Sequence, residues 1–337
     1  MIILLTVNVR RFHSFCVKSN LDLVGIQSTS DSFYAWIFDS GSRFQSYSRH
    51  KVEREAITDI NFPSRSEIAF SIGYNDAIFA INYTRTPSRK IELSKLDPKS
   101  NYTTSLLKAP TVAYLHTKAF EFGLTETGDV VIVKKLGTSS RRVEIDILSA
   151  STTYDCFSLR AETPLEEMDD SWSTVVAGNG DVFCLKKHGS ASGQVEGVVL
   201  SRESEYKSIS KQFVLPLSTS YAFHFLLTAQ EQNLFVIRRI SDEEGLEDKL
   251  EIKLFSSGSS YADVTLTAEV KLPLRLDDFS FLLKENSDIL VALKSGGASD
   301  RTELLLLEAA NGYETRSNEV MVSGLPETGS DVDLALF

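Results

Sequence analysis

A glutamate and a tyrosine recur ten residues apart, five times along the chain. A tyrosine ring can stack on the apolar face of a ligand, and a glutamate carboxylate can accept hydrogen bonds from ligand hydroxyls. One interpretation is therefore a binding site in every copy, with Tyr as the platform and Glu as the acceptor. The five pairs are Glu92/Tyr102, Glu144/Tyr154, Glu196/Tyr206, Glu251/Tyr261 and Glu303/Tyr313.

The same pairs also have a structural interpretation. A glutamate on a strand can pair across the sheet with the Lys or Arg that closes the neighbouring strand, which contributes roughly 0.2–1 kcal/mol. The tyrosine would then pack under a loop. A feature found in every copy of a repeat is usually what the unit needs to fold, so we favour this interpretation and keep ligand binding as the alternative.

The spacing of the tyrosines shows that the chain is a repeat array. Successive tyrosines lie 52, 52, 55 and 52 residues apart. Repeated units that stack on one another share a continuous core, so an array of this kind counts as one domain. We therefore predict a single domain over residues 1–337.

The third copy shows the plan of the unit. Residues 119–124 alternate between apolar and polar types, as does the stretch 143–148, which is typical of strands with two different faces. Residues 125–129 form a turn sequence that contains Gly and Asp. Residues 130–133 are continuously apolar, which predicts a strand buried on both faces.

Several short antiparallel strands per unit of ~50 residues predict an all-β fold, a β-propeller. The rival is an open β-solenoid, whose coils are usually shorter and rarely contain hairpin turns. The predicted units cover approximately 21–66, 67–118, 119–170, 171–221, 222–277 and 278–330.

The two ends of the chain predict a seventh blade. Residues 331–337 resemble the opening strand of a unit, and residues 1–20 could supply the strands that follow it. Such a closing blade would remove two exposed sheet edges, which promote aggregation. We favour seven blades; six blades or a truncated array are the alternatives.

Charge and motifs exclude several classes of function. The formal net charge is −11 and the isoelectric point is near 5.1, which argues against binding nucleic acid or an anionic membrane surface. The three cysteines lack CxxC spacing and the five histidines fall at unrelated positions in the unit, so no metal site is predicted. No phosphate-binding loop or nucleophile elbow occurs, so we predict no catalytic residue and no cofactor.

The N-terminal segment does not read as a signal peptide. Its apolar run precedes Arg10 and Arg11, whereas a signal peptide has its basic residues first. The cytoplasm is therefore the default prediction. Export by another route and a wrongly assigned N-terminus stay open.

A few residues outside the Glu–Tyr pairs could also carry chemistry. Glu121, His224 and Asp278 lie near the predicted inner strands and could form an enzyme site at the central channel. Trp36 and Trp172 could be platforms for a sugar, although Trp36 falls in a central strand and is expected in the core. The acidic runs 166–170 and 242–248 are expected to face solvent, with weak calcium binding as the alternative.

One stretch carries a resemblance to a known repeat. Gly180-Asp181-Val182-Phe183-Cys184-Leu185-Lys186, followed by Ser192-Gly193-Gln194-Val195-Glu196, Leu200-Ser201 and Tyr206, resembles a lectin-like repeat of fungal and bacterial proteins. That repeat reads D-L-x-x-I-K and then S-G-x-V-E-V-x-x-x-S-x-x-x-x-Y. The match runs from about residue 67 to 315. The resemblance implies a propeller and recognition of glycans, and it supplies no established binding residues.

Three functions are consistent with these features. The leading hypothesis is a non-enzymatic binding module that recognises glycans or another surface ligand. The alternatives are a scaffold that docks a protein partner and an enzyme with a site in the central channel. The sequence does not predict an oligomeric state.

Overall fold

The computed structural model describes residues 12–28, 32–42, 46–53, 68–73, 75–82, 90–114, 120–220, 223–241, 248–271, 278–284, 286–295 and 303–313. These ranges contain strands and short 3₁₀ turns and no α-helix. Within them, no helix is long and apolar enough to cross a membrane.

The strands form six antiparallel sheets, numbered here as blades 1 to 6. Blade 1 consists of β1 (Phe12–Val17), β2 (Leu23–Ser28), β3 (Phe33–Phe38) and β4 (Tyr47–Val52), and blade 2 of β5 (Ile68–Ile72), β6 (Ile78–Asn82), β7 (Lys90–Leu96) and β8 (Ser105–Tyr114). Blade 3 consists of β9 (Phe120–Leu124), β10 (Val130–Lys134), β11 (Arg142–Leu148) and β12 (Phe157–Glu166), and blade 4 of β13 (Trp172–Val176), β14 (Val182–Lys186), β15 (Gln194–Leu200) and β16 (Ile209–Ser218). Blade 5 consists of β17 (Phe223–Leu227), β18 (Leu234–Ser241), β19 (Asp248–Phe255) and β20 (Val264–Lys271), and blade 6 of β21 (Asp278–Leu283), β22 (Ile289–Ser295) and β23 (Glu303–Leu307).

Each sheet is a simple meander in which strands pair in chain order. The first strand of each sheet contacts the first strand of the next, from β1 and β5 through to β17 and β21. First strands therefore lie innermost, and the sheets stand side by side around them. The fold is a six-bladed β-propeller, which confirms the all-β propeller prediction with the alternative count of six instead of the favoured seven.

The first blade begins earlier than the sequence indicated. Strand β1 (Phe12–Val17) pairs with β2 in blade 1, whereas the prediction placed residues 12–17 in a closing blade. Asp22 was not recognised from the sequence as the aspartate in the turn between the first two strands of this blade. Asp22 Oδ1 accepts a hydrogen bond from the backbone N–H of Ser40 (2.9 Å). Residues 1–11 and 314–337, on which a closing blade depends, lie outside the described residues.

The hydrophobic core is divided into clusters that lie between neighbouring blades. Between blades 2 and 3, for example, Phe79 and Leu93 pack against Phe122, Val130 and Tyr154. Equivalent clusters join blades 1 and 2, 3 and 4, 4 and 5, and 5 and 6. Since blades 2 to 5 bury both faces in this way, their second strands are largely apolar, as predicted for residues 130–133.

Gly123 marks the closest approach of blades 3 and 4. A Cβ atom at this position would lie 2.3 Å from Cβ of Val176 on the first strand of the next blade. Gly123→Ala should therefore destabilise the fold by about 1–3 kcal/mol through overpacking. Urea unfolding at equilibrium measures the change.

Gly41→Ala is the matched control, because the nearest atom to its Cβ lies 3.4 Å away. We expect a change within about 0.5 kcal/mol for this variant. Equal stability of the two single glycine variants would contradict the assigned contact between the blades.

Candidate functional site

The five repeated tyrosines are buried, with side chains exposed by 0 to 3%. Each hydroxyl donates a hydrogen bond to a backbone carbonyl in the turn between the first two strands of its own blade. The acceptors are the carbonyls of Asp76 (3.0 Å), Gly128 (2.9 Å), Gly180 (2.6 Å), Gln232 (3.2 Å) and Ser287 (2.8 Å). The ring thus spans the blade and ties its third connection to its first.

The burial of Tyr102 disagrees with the idea that its ring is a stacking platform for a ligand. Its side chain is 0% exposed and lies in the cluster between blades 1 and 2, with Val24 and Phe70, while its hydroxyl donates to the carbonyl of Asp76. A ligand could stack on this ring only if the two blades separated. The structure therefore places Tyr102 in the core and not on a ligand-accessible surface. The same disagreement applies to Tyr154, Tyr206, Tyr261 and Tyr313, which are buried in the equivalent position.

Several of these rings also join two blades. Tyr154 meets Phe79 of the preceding blade edge to face, with ring centroids 5.9 Å apart. Tyr313 meets Phe235 of blade 5 in the same way, also at 5.9 Å. Ligand binding through the tyrosines stays an untested prediction, and the buried rings give it no support.

The glutamates of the pairs lie opposite the fifth residue of the second strand. Glu144 is in register with Lys134, and its Oε2 lies 3.7 Å from the lysine Nζ. Glu251 is in register with Arg238, and its Oε2 lies 2.5 Å from the Arg Nε. Burial acts to raise the pKa of Glu251, but hydrogen bonds from Arg238 and Lys253 outweigh it and lower the pKa.

The other three glutamates fit the same strand position. Glu196 lies opposite Lys186 and accepts a hydrogen bond from the backbone N–H of Ser192 (3.0 Å). Glu92 is buried opposite Asn82, and the backbone of Glu303 lies opposite Leu293. As with the tyrosines, no observation tests ligand binding by these carboxylates.

A cleft of about 340 Å³ lies where blade 3 passes into blade 4. We call it the blade 3–4 cleft and define it by Leu136, Leu165, Glu166, Asp169, Trp172 and Lys186, which line it together with Glu167, Met168 and Ser171. These residues come from the end of β12, the connection 167–171, the start of β13, the end of β14 and the loop after β10. Two blades therefore build this site jointly.

Backbone hydrogen bonds hold the connection that forms the cleft. The N–H of Met168 donates to the carbonyl of Lys135 (2.8 Å), and the N–H of Lys187 donates to the carbonyl of Ser171 (2.9 Å). The Met168 side chain is buried between the blades. Glu167 Oε1 accepts from the backbone N–H of Thr138 (2.8 Å), so it fixes the loop that carries Leu136.

The cleft combines a flat aromatic group with charged acceptors. The Trp172 side chain is half-buried, and Lys186 Nζ lies 5.7 Å from its ring centroid. Hydrogen bonds from the Ser171 hydroxyl and N–H hold the pKa of Asp169 below its usual value, and the nearby Lys186 adds to the effect. The Glu166 side chain is exposed and forms no hydrogen bond or ion pair with the described residues. An aromatic face beside carboxylates can bind a ligand that is apolar on one side and donates hydrogen bonds on the other.

The residues suggested for a central-channel enzyme do not form one cluster. Glu121 forms an ion pair with Lys135 and accepts from the backbone N–H of Thr174 (3.0 Å), so it joins blades 3 and 4. His224 packs its ring against Phe281 of blade 6, with centroids 5.0 Å apart. Asp278 begins β21, and its side chain is outside the described part. No group of three or more His, Cys, Asp or Glu in the described residues is placed to hold a metal.

The remaining candidates divide between core and surface. Trp36 is buried, as expected, while Trp172 reaches the cleft. The acidic run 166–170 is partly in the cleft, whereas residues 242–247 lie outside the described residues. Burial raises the pKa of the Cys184 thiol, which suits an inert core cysteine. Leu136 was not singled out in the sequence, because one exposed leucine in a loop gives no periodic signal.

Comparison with known proteins supports the fold and goes no further. No protein-family model matches the sequence, and no curated protein matches it. A protein of unknown function from Dyadobacter fermentans DSM 18053 is similar in structure, with a TM-score of 0.50, 11% identity and coverage of 90% of this chain and 97% of that one. An acylaminoacyl peptidase from Pyrococcus horikoshii gives a TM-score of 0.46 at 9% identity over 88% of this chain and 44% of that one. The tricorn protease gives 0.46 at 10% identity over 91% and 31%.

Tyr154→Phe tests whether the tyrosine hydroxyl stabilises the blade. The variant leaves the carbonyl of Gly128 without its partner in a poorly solvated site, so the free energy of unfolding should fall by about 1–3 kcal/mol. Tyr47→Phe is the control, because Tyr47 is 38% exposed and should tolerate the change within about 0.5 kcal/mol. Chemical denaturation of both variants measures the difference, and equal stability would contradict the assigned role.

Stability should fall at high pH through the same residues. Burial, with a smaller effect from a nearby carboxylate, raises the pKa of Tyr154, Tyr261 and Tyr313 to about 12. In the unfolded chain a tyrosine loses its proton near pH ~10. The folded state therefore keeps protons that the unfolded state has lost, so this stabilisation is complete below pH ~10 and disappears between about pH 10 and 12.

Melting temperatures across this range, together with tyrosinate absorbance, test the prediction. Tyr154→Phe has one buried titrating group fewer, so its melting temperature should fall less steeply than that of the unmodified protein. If all eleven tyrosines lost their protons near pH ~10 while the chain stayed folded, the prediction would be wrong.

Proposed function

We propose that this chain is a non-enzymatic binding module whose blade 3–4 cleft takes a glycan. The observation that carries the proposal is Trp172, a half-buried indole that lines a cleft together with the carboxylates of Glu166 and Asp169. The C–H face of a sugar ring can pack on an aromatic ring, and its hydroxyls can donate to carboxylate oxygens. The cleft therefore offers both kinds of contact that a sugar needs.

The size of the cleft and its construction agree with a small ligand. Its volume of about 340 Å³ suits a single sugar ring or the end of an oligosaccharide. The backbone hydrogen bonds of Met168 and Lys187 hold its walls in place, so little ordering is required on binding. The resemblance of the repeat to lectin-like proteins also supports a glycan.

Trp172→Ala tests the proposal directly. A glycan array, followed by isothermal titration calorimetry with each sugar that binds, identifies ligands of the unmodified protein. For these ligands, loss of the indole should weaken binding about tenfold or more, because aromatic stacking is the largest apolar contact available in the cleft. Trp36 is the other tryptophan and is buried, so quenching of fluorescence by a ligand would report on Trp172.

Tyr47→Ala is the matched control, because Tyr47 is a partly exposed aromatic residue on blade 1, away from the cleft. The sugar affinity of the Tyr47→Ala variant should equal that of the unmodified protein. Circular dichroism confirms that both variants are folded. An array without hits, or equal affinities of the Trp172→Ala variant and the unmodified protein, would count against the proposal.

A protein partner is the second candidate, and one observation favours it. Leu136 is 45% exposed at the cleft, beside the half-buried Leu165. Exposed leucines next to an aromatic residue are typical of surfaces that dock a peptide. A synthetic peptide array distinguishes this scaffold function from sugar binding, since only the scaffold requires peptide hits.

The central-channel enzyme has no supporting observation, because Glu121 and His224 each contact a neighbouring blade.

A further inference from the structure

The blade 3–4 cleft carries more negative than positive charge. Three carboxylates line it, those of Glu166, Glu167 and Asp169, against the single ammonium group of Lys186. Two of the carboxylates already have partners. Glu167 accepts from Thr138, and Asp169 accepts from Ser171 and lies near Lys186.

Glu166 is the carboxylate without a partner among the described residues. It ends β12 and is exposed at the cleft. Its register neighbour on β11 is Arg142, yet no ion pair within 4.0 Å joins the two side chains in the described structure. The carboxylate is therefore available to a ligand, and a group placed beside it gains most when it carries a positive charge.

The aromatic wall adds to this preference. The face of an indole carries partial negative charge and attracts cations. Lys186 occupies a position near that face, with Nζ at 5.7 Å from the ring centroid. The field of Glu196, which is in register with Lys186, partly offsets the lysine charge. A ligand in the cleft would therefore contact the aromatic face of Trp172 next to the carboxylate of Glu166, which has no partner among the described residues.

We infer that the cleft recognises an amino sugar, a hexose whose protonated amine pairs with Glu166 while its ring packs on Trp172. This inference rests on the proposed glycan-binding function and specifies the class of sugar. An N-acetylated sugar would keep the stacking and lose the ion pair. An acidic sugar would be repelled by the carboxylates of the cleft.

Two oligosaccharides that differ at the sugar nitrogen, which is a protonated amine in one and a neutral acetamide in the other, test the inference. A glucosamine hexamer and an N-acetylglucosamine hexamer are titrated by calorimetry at mildly acid pH and low ionic strength, where the amines and the carboxylates are both charged. The glucosamine hexamer should bind about tenfold more tightly, and added salt should reduce the ratio. Glu166→Gln should bring the two affinities close together.

Glu162→Gln is the matched control, because Glu162 is exposed on the same strand and lies outside the cleft. It should keep the preference for the charged hexamer. A lysine hexamer serves as a third probe. If it bound as tightly as the glucosamine hexamer, the cleft would recognise positive charge alone, and the inference would be overturned.

The remaining outcomes separate this inference from the proposed function. Equal binding of the two sugar hexamers, with both weakened by Trp172→Ala, would overturn the amino-sugar preference and leave glycan binding standing. Binding of other sugars alone would have the same meaning. Absence of sugar binding altogether would overturn both.

Discussion

The contact on which the propeller depends is the buried tyrosine that each of blades 2 to 6 places against the preceding blade. Its hydroxyl is bonded to a turn carbonyl 26 residues earlier in most blades, so the unit closes on itself, as in Tyr154 with Gly128. Its ring then packs against the preceding blade, as on Phe79. Because one side chain performs both tasks, the conformation of a blade and its docking to its neighbour are coupled. This coupling accounts for the regular spacing of tyrosines better than a binding role does, since a ligand platform would not need a buried hydroxyl.

The most regular residues of this repeat stabilise the fold. A binding site is therefore expected where the units differ. The connection between blades 3 and 4 is the place where we propose a binding site. Blade 4 begins with Trp172 where blade 3 has Phe120 and blade 5 has Phe223, and each of these lies opposite a basic residue of the second strand. The acidic residues that precede Trp172 add charge to the same edge. The same strand position therefore has a different chemical environment in blade 4. A search for repeated motifs does not detect this difference.

The sequence predicted the fold better than the site for physical reasons. A tyrosine at constant spacing and an apolar second strand are local signals, so five of the units could be found from the chain alone. The first unit lacks the Glu–Tyr pair, and its turn aspartate, Asp22, which accepts a hydrogen bond from the N–H of Ser40, gave no repeat signal that placed it. The cleft could not be predicted, because Leu136, Glu166 and Lys186 are neighbours only after blades 3 and 4 have docked. Two parts of the cleft gave a signal in advance. They are Trp172, an aromatic residue of a type that is rare in this chain, and the acidic run 166–170.

Blades 3 and 4 are joined at both ends of their interface, which bears on how the cleft can work. At one end, Glu121 of β9 accepts from the N–H of Thr174 on β13. At the other, Arg202 Nη2 lies 2.7 Å from Asp129 Oδ2, and the N–H of Glu126 donates to the carbonyl of Gly178 (2.8 Å). Between these links Gly123 allows the backbones to approach closely. Opening or closing the cleft by rotation of one blade would break contacts at both ends, so its walls are effectively fixed. A fixed cleft loses little conformational entropy on binding, and it discriminates between ligands by shape and charge instead of by adjusting to them.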